Sequence, residues 1–306
     1  MNASFLKKQI HGIVPPVVTP LSDSFALDLP ALSRLLEHLI EGGVHALFLL
    51  GTTGEGPALS YQTRREMIAE SCRIVHGRVP ILVAISDTSL QESISLGHWA
   101  SQCGANALVV SAPYYFAVSQ NELYEMSAEL SASLSLPVYL YNMPRLTKAS
   151  FDPETVLRCS KLPLVAGIKD SSGDMHYVRE LVRAFAMDPD FTILVGPEEL
   201  FSESIQAGAH GGVNGGANLF PRLFVNLYKA LINKDVLTSS VLQEKVFQLG
   251  SMLYHIGEPE SSYMRGLKLG LEILGLCSSR VAPPFQTLHA MDFEDLKFRL
   301  RSFQNF

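Results

Sequence analysis

Residues 137–170 read PVYLYNMPRLTKASFDPETVLRCSKLPLVAGIKD. Two short apolar runs, Pro137–Asn142 and Leu164–Asp170, flank a helical pattern, Asp152–Ser160, with Pro153 in its first turn. Both runs are apolar at successive rather than alternate positions, as parallel strands buried on both faces read. Proline suits a first helical turn, where its missing N–H is not needed. The stretch is a strand–helix–strand unit, and parallel strands need such a crossover.

The unit recurs in both directions. Upstream lie the runs Ile13–Pro20, Ala46–Gly51, Pro80–Ser86 and Ala107–Pro113, and downstream Thr192–Gly196 and Gly211–Gly216. Helical patterns fill the gaps. Leu29–Glu41 follows the cap Asp28, and Ser60–His76 and Ser89–Cys103 each open on a serine. Ser119–Leu134 has Glu122 three residues after Ser119, a capping box. Asp174–Phe185, Glu199–Gly208 and Pro221–Ala230 complete the series. Eight repeats predict an α/β fold of the closed (β/α)8 type, a TIM barrel, over residues 1–233. No G-x-G-x-x-G follows the first run, which weakens a dinucleotide-binding sheet. Residues 234–306 carry no strand signal and read as a C-terminal helical appendix, with helices near Thr238–Ile256, Tyr263–Leu274 and Asp292–Phe303. No linker-like segment intervenes, so the reading is one continuous domain.

Composition narrows the partners. The 306 residues are 47% hydrophobic and 18% charged, which excludes a disordered or collagenous chain. Net charge is −6 with no basic block, so neither nucleic acid nor an anionic membrane is the expected partner. Cys72, Cys103, Cys159 and Cys277 form no C-x-x-C pair and read as reduced thiols of a cytoplasmic protein. The first residues, MNASFLKK, lack the apolar run of a secretory signal. The nine histidines show no H-x-x-x-H or H-E-x-x-H spacing, so no metal is expected.

Barrel enzymes work at the C-terminal ends of their strands. Lys169 stands at such an end, after Leu164–Ile168. Partial desolvation favours a neutral amine, which can attack a ketone to form a Schiff base. A snorkelling lysine paired with Asp170 reads equally well from the residues alone. Tyr141, 28 positions earlier on the preceding strand, is placed for general acid–base work, or is a structural aromatic at the rim. Gly51-Thr52-Thr53-Gly54 can hold a carboxylate with hydroxyls and backbone N–H groups, or is an ordinary turn. Gly211-Gly212 and Gly215-Gly216 permit close approach of a ligand, or relieve crowding where the barrel closes.

Taken together, Gly51–Glu55, Tyr141-Asn142-Met143-Pro144 and Gly167-Ile168-Lys169-Asp170 resemble the dihydrodipicolinate synthase / N-acetylneuraminate lyase family, in order and spacing, over about residues 10–300. The resemblance implies a class I aldolase without metal or other cofactor, and a homotetramer built from two tight dimers. By it, Lys169 forms the imine with pyruvate or another 2-oxo acid, and Tyr141 is the acid/base. Thr52 and Thr53 take the carboxylate and a proton relay, and Tyr115 reaches a neighbour's relay across the dimer. Gly51, Gly196 and Val213 line the pyruvate pocket.

Two departures bear on the second substrate, an aldehyde. The family's synthases carry an arginine five residues after the tyrosine; here Leu146 stands there, with Arg145 one place early. Gly196-Pro197-Glu198-Glu199 resembles the lyases, in which an acidic pair binds substrate hydroxyls. The expectation is reversible cleavage of a hydroxylated 2-oxo acid, a 2-keto-3-deoxy sugar acid. The alternatives are the condensation of pyruvate with aspartate semialdehyde and, from another class, a barrel that binds a small acid without turnover. A phosphate site after strands seven and eight is opposed by the charge of Glu198 and Glu199.

Overall fold

The computed structural model describes residues 10–256, 261–285 and 290–303. Eight parallel strands form the centre: β1 Gly12–Ile13, β2 Leu47–Leu49, β3 Ile81–Ala84, β4 Ala107–Ser111, β5 Val138–Asn142, β6 Val165–Asp170, β7 Thr192–Val195 and β8 Gly211–Gly212. Around them run α1 Leu29–Glu41, α2 Tyr61–Val75, α3 Leu90–Cys103, α4 Gln120–Ser133, α5 Pro144–Thr147, α6 Pro153–Cys159, α7 Met175–Ala184, α8 Phe201–Ala207 and α9 Pro221–Ile232. The C-terminal layer is α10 Val236–Leu253, α11 Ser262–Ile273 and α12 Ala290–Leu300. This is the (β/α)8 barrel that the periodicity predicts.

The ladder runs β1-β8-β7-β6-β5-β4-β3-β2. Closure between β1 and β2 is made by Phe48, whose N–H donates to Pro15 O at 3.0 Å and whose carbonyl accepts from Val17 N at 2.8 Å. The first run is shorter than Ile13–Pro20 because Pro15 and Pro16 have no N–H to donate to a ladder. The last stops at Gly212, and Gly215–Asn218 turns into a 3₁₀ segment. At Gly211 a side chain would collide with the backbone of Gly12, so that glycine serves closure. Gly212, Gly215 and Gly216 likewise abut protein side chains: Phe201 and Asn214, Tyr263, and Phe224.

Helix starts follow local chemistry. Asp28, Ser60, Ser89 and Ser119 each accept an N–H of the first turn, and Ser119 with Glu122 closes both halves of a capping box. One apolar cluster runs from the strands through Leu223 and Phe224 of α9 to Leu249, Leu267 and Leu296 of the C-terminal layer. Among the described residues, no helix is long and apolar enough to cross a membrane.

Candidate active site

Side chains alternate along a strand, so residues paired in register share a face. Tyr141 of β5 pairs with Lys169 of β6, and both point into the barrel mouth. Lys169 is 6% exposed. Its Nζ lies 3.9 Å from the Tyr141 ring centroid and 5.1 Å from that of Phe48. Gly51 makes room for Phe48, whose ring a side chain at 51 would strike. Lys169 belongs to none of the ion pairs among the described residues. Asp170 accepts instead from Asn142 Nδ2 and Ser172 Oγ, each at 2.8 Å, which disposes of the paired-lysine alternative.

The Tyr141 hydroxyl is 3.3 Å from Thr52 Oγ1. Burial raises the pKa of this phenol, but the Lys169 charge and the Thr52 hydrogen bond outweigh it, and the net shift is downward. Thr53, 5% exposed, has its Oγ1 3.1 Å from the hydroxyl of Tyr263, which arrives from α11. The turn carrying both threonines is bounded by two non-glycine residues in the left-handed region, Leu50 (φ 59°) and Glu55 (φ 56°). Such backbone persists only where the surroundings over-determine it. Here they do: Thr19 Oγ1 donates to Gly54 O at 2.6 Å, and Glu55 Oε2 accepts from Ala282 N at 2.6 Å.

At the end of β7, Gly196 faces Ser171, and a side chain at 196 would overlap its hydroxyl. Val213, buried, donates its N–H to Val195 O at 2.7 Å. Glu198 is buried, and both its oxygens are engaged: Oε1 by Gly216 N at 2.6 Å, Oε2 by the Tyr254 hydroxyl at 2.8 Å. Burial pushes its pKa up to about 7 against those two hydrogen bonds, and the charge of Glu199 pushes the same way. Glu199 is exposed.

Lys169, Tyr141 and Thr52 therefore converge, and Thr53, next in the chain, meets Tyr263; Gly51 backs Phe48, while Gly196 and Val213 are held by the backbone of β6 and β7. Arg145 is exposed on α5, and Leu146 is half exposed beside it. Tyr115 lies outside the mouth of its own chain at 78% exposure, edge-on to the equally exposed Phe116. The sequence reading passed over Phe48, Ser171, Tyr254 and Tyr263. Phe48 sits inside a uniformly apolar run, and Tyr263 in α11 and Tyr254 at the C-terminal cap of α10 stand in segments whose own pattern gives no hint of a site. Among the described residues, no three His, Cys, Asp or Glu side chains converge to hold a metal.

Comparison with known proteins gives the chain's relatives. A sequence profile of the dihydrodipicolinate synthetase family matches residues 9–301. The Escherichia coli protein named "Probable 2-dehydro-3-deoxy-D-pentonate aldolase YjhH" is 31% identical over 88% of this chain and 89% of its own length. A 4-hydroxy-tetrahydrodipicolinate synthase of Polynucleobacter asymbioticus is 29% identical over 96% and 95%. The solved dihydrodipicolinate synthase of Bacteroides thetaiotaomicron is 50% identical, with a TM-score of 0.93 over 96% of this chain and 98% of that one. Escherichia coli YagE, solved in complex with pyruvate, is 30% identical, with a TM-score of 0.92 over 97% and 99%.

Proposed function

This chain belongs to the dihydrodipicolinate synthetase family of Schiff-base lyases, and from that premise we propose that it reversibly cleaves a 2-keto-3-deoxy sugar acid into pyruvate and an aldehyde. The Lys169 amine attacks the C2 ketone, water leaves, and an iminium forms. Tyr141, as phenolate, takes the proton of the C4 hydroxyl. The C3–C4 bond breaks, its electron pair moves into the iminium as an enamine, and the aldehyde departs. Protonation at C3 and hydrolysis release pyruvate and the free amine. The lysine is itself the electron sink, so the cycle needs no cofactor. Thr52 and Thr53 hold the carboxylate, with Gly51, Gly196 and Val213 shaping the pyruvate pocket. Tyr115 completes the relay of a neighbouring copy in a dimer of dimers.

One observation carries the substrate assignment. A second carboxylate, as in aspartate semialdehyde, needs a fixed cation, best a bidentate guanidinium. Leu146 occupies the expected place, and Arg145 is turned to solvent. Glu199, exposed just beyond β7, opposes a second negative charge and is the acceptor for sugar hydroxyls; Glu198, expected to share that role, is buried and already engaged by Gly216 and Tyr254. A second reading, condensation of pyruvate with aspartate semialdehyde, is favoured by the 50% identity to the Bacteroides enzyme and by Arg145 one residue from the expected position. The test compares kcat/KM for cleavage of 2-keto-3-deoxy sugar acids with that for the condensation. The sugar acids should win by about tenfold or more, the discrimination that one charge-assisted hydrogen bond supplies. A higher value for the semialdehyde, abolished by Arg145→Ala, assigns the synthase reaction instead.

A further inference from the structure

Tyr263 belongs to α11, in the layer outside the barrel, yet its hydroxyl ends 3.1 Å from Thr53 Oγ1 inside the mouth. Several elements fix it there. Its hydroxyl rests on Gly215, where any side chain would collide with it. Its ring packs against that of Tyr254, centroids 4.7 Å apart. Tyr254 is in turn tied to Glu198, and Glu198 to the backbone of Gly216. Groups from the ends of β7 and β8, from the C-terminal cap of α10 and from α11 thus combine to aim one phenol at one threonine.

A threonine hydroxyl has a single proton. If Thr53 gives it to Tyr263, none is left for a substrate. If Tyr263 is the donor, the proton of Thr53 is free for the carboxylate of the 2-oxo acid. Burial, followed by the nearby Glu198 carboxylate, raises the Tyr263 pKa, so the phenol keeps its proton and has it to give. We propose that Tyr263 is a positioning residue of the active site, donating to Thr53 and so committing the Thr53 proton to the carboxylate of the bound 2-oxo acid. This rests on the carboxylate role proposed above for Thr53.

The test is borohydride trapping at Lys169 in the full-length protein with pyruvate as the probe. In Tyr263→Phe the pyruvate concentration for half-maximal trapping should rise about tenfold, the worth of one hydrogen bond to a charged group, with maximal trapping unchanged. Acetone, which lacks the carboxylate, should be trapped equally by parent and variant. Thr53→Val should show the same rise, and the double variant no more than Thr53→Val alone. A half-saturation within about twofold of the parent, a matching loss with acetone, or effects that multiply in the double variant overturn the proposal. Label in the parent with an unaffected Tyr263→Phe overturns this inference alone. An unlabelled parent overturns the Schiff-base reading and this inference with it.

Discussion

Lys169 Nζ over the Tyr141 ring, at 3.9 Å, sets the acid–base character of the phenol. The cation lowers the pKa of a phenol that burial alone would raise. A phenol poised this way can lose its proton and still return it, which a general acid–base must do. Tyr141→Phe should therefore fold normally and lose about 10²- to 10⁴-fold in turnover. Circular dichroism and steady-state cleavage rates check it, and a loss below about fivefold removes Tyr141 from that role. Both residues were legible beforehand, because each closes an apolar run at the end where barrels place their chemistry. Their roles were not, since the same lysine paired with Asp170 would have read identically. The geometry separates the two: Asp170 is held by Asn142 and Ser172 on the other face.

At the scale of elements, α11 reaches the threonine turn twice, through Tyr263 and through Lys268. Lys268 Nζ lies 2.5 Å from Glu55 Oε1, an ion pair outside hydrogen-bond alignment, with side chains 1% and 0% exposed. The same Nζ donates to Arg280 O at 2.5 Å. Breaking such a pair from one side leaves a buried charge unmatched, which costs about 3–5 kcal/mol, whereas replacing both charges costs much less. Lys268→Met should accordingly lower unfolding free energy by that amount in urea, and Glu55→Gln/Lys268→Met should recover a large part. A double variant as unstable as the single one would show that the pair is not the source. Helices themselves were legible: Asp28, Ser60, Ser89 and Ser119 cap where the pattern starts, because capping is decided within four residues. The short helix Pro144–Thr147 was missed, being a single turn without periodicity. The first and last strands were over-extended, because prolines and glycines sit where the barrel closes.

The whole molecule has two unlike ends. Opposite the mouth, at the N-terminal ends of the strands, lie His11, His45 and His210. His45 Nδ1 accepts from Ile13 N at 3.0 Å, and His210 Nδ1 from Ile193 N at 2.9 Å. The rings of His11 and His210 are 5.0 Å apart. Partial desolvation holds all three imidazoles below their ordinary pKa, helped by Lys229 at His45 and by His11 at His210. The unfolded chain protonates these rings near pH 6.5, the folded one only at lower pH. Their contribution to stability is thus complete above about pH 6.5 and is lost as pH falls through the folded values. The urea midpoint should drop between about pH 7.5 and about pH 5.5, and drop less in His210→Asn, whose side-chain oxygen accepts the Ile193 N–H without titrating. An equal drop in that variant would place the acid sensitivity elsewhere.

The sequence by itself determined the barrel, its helix starts and the strand ends that carry Lys169, Tyr141, Thr52 and Thr53. Those features are local: a run of apolar residues, a cap, a turn, each readable within a dozen positions. The tertiary structure alone decided that Glu198 is engaged by Gly216 and Tyr254, that Arg145 faces solvent, and that Tyr263 enters the site. Thr53 and Tyr263 are 210 residues apart. Contacts at that separation arise only when the barrel closes and α11 packs against the turns after β2 and β8. They are set by the common geometry of several elements, and no single segment carries a signal of it.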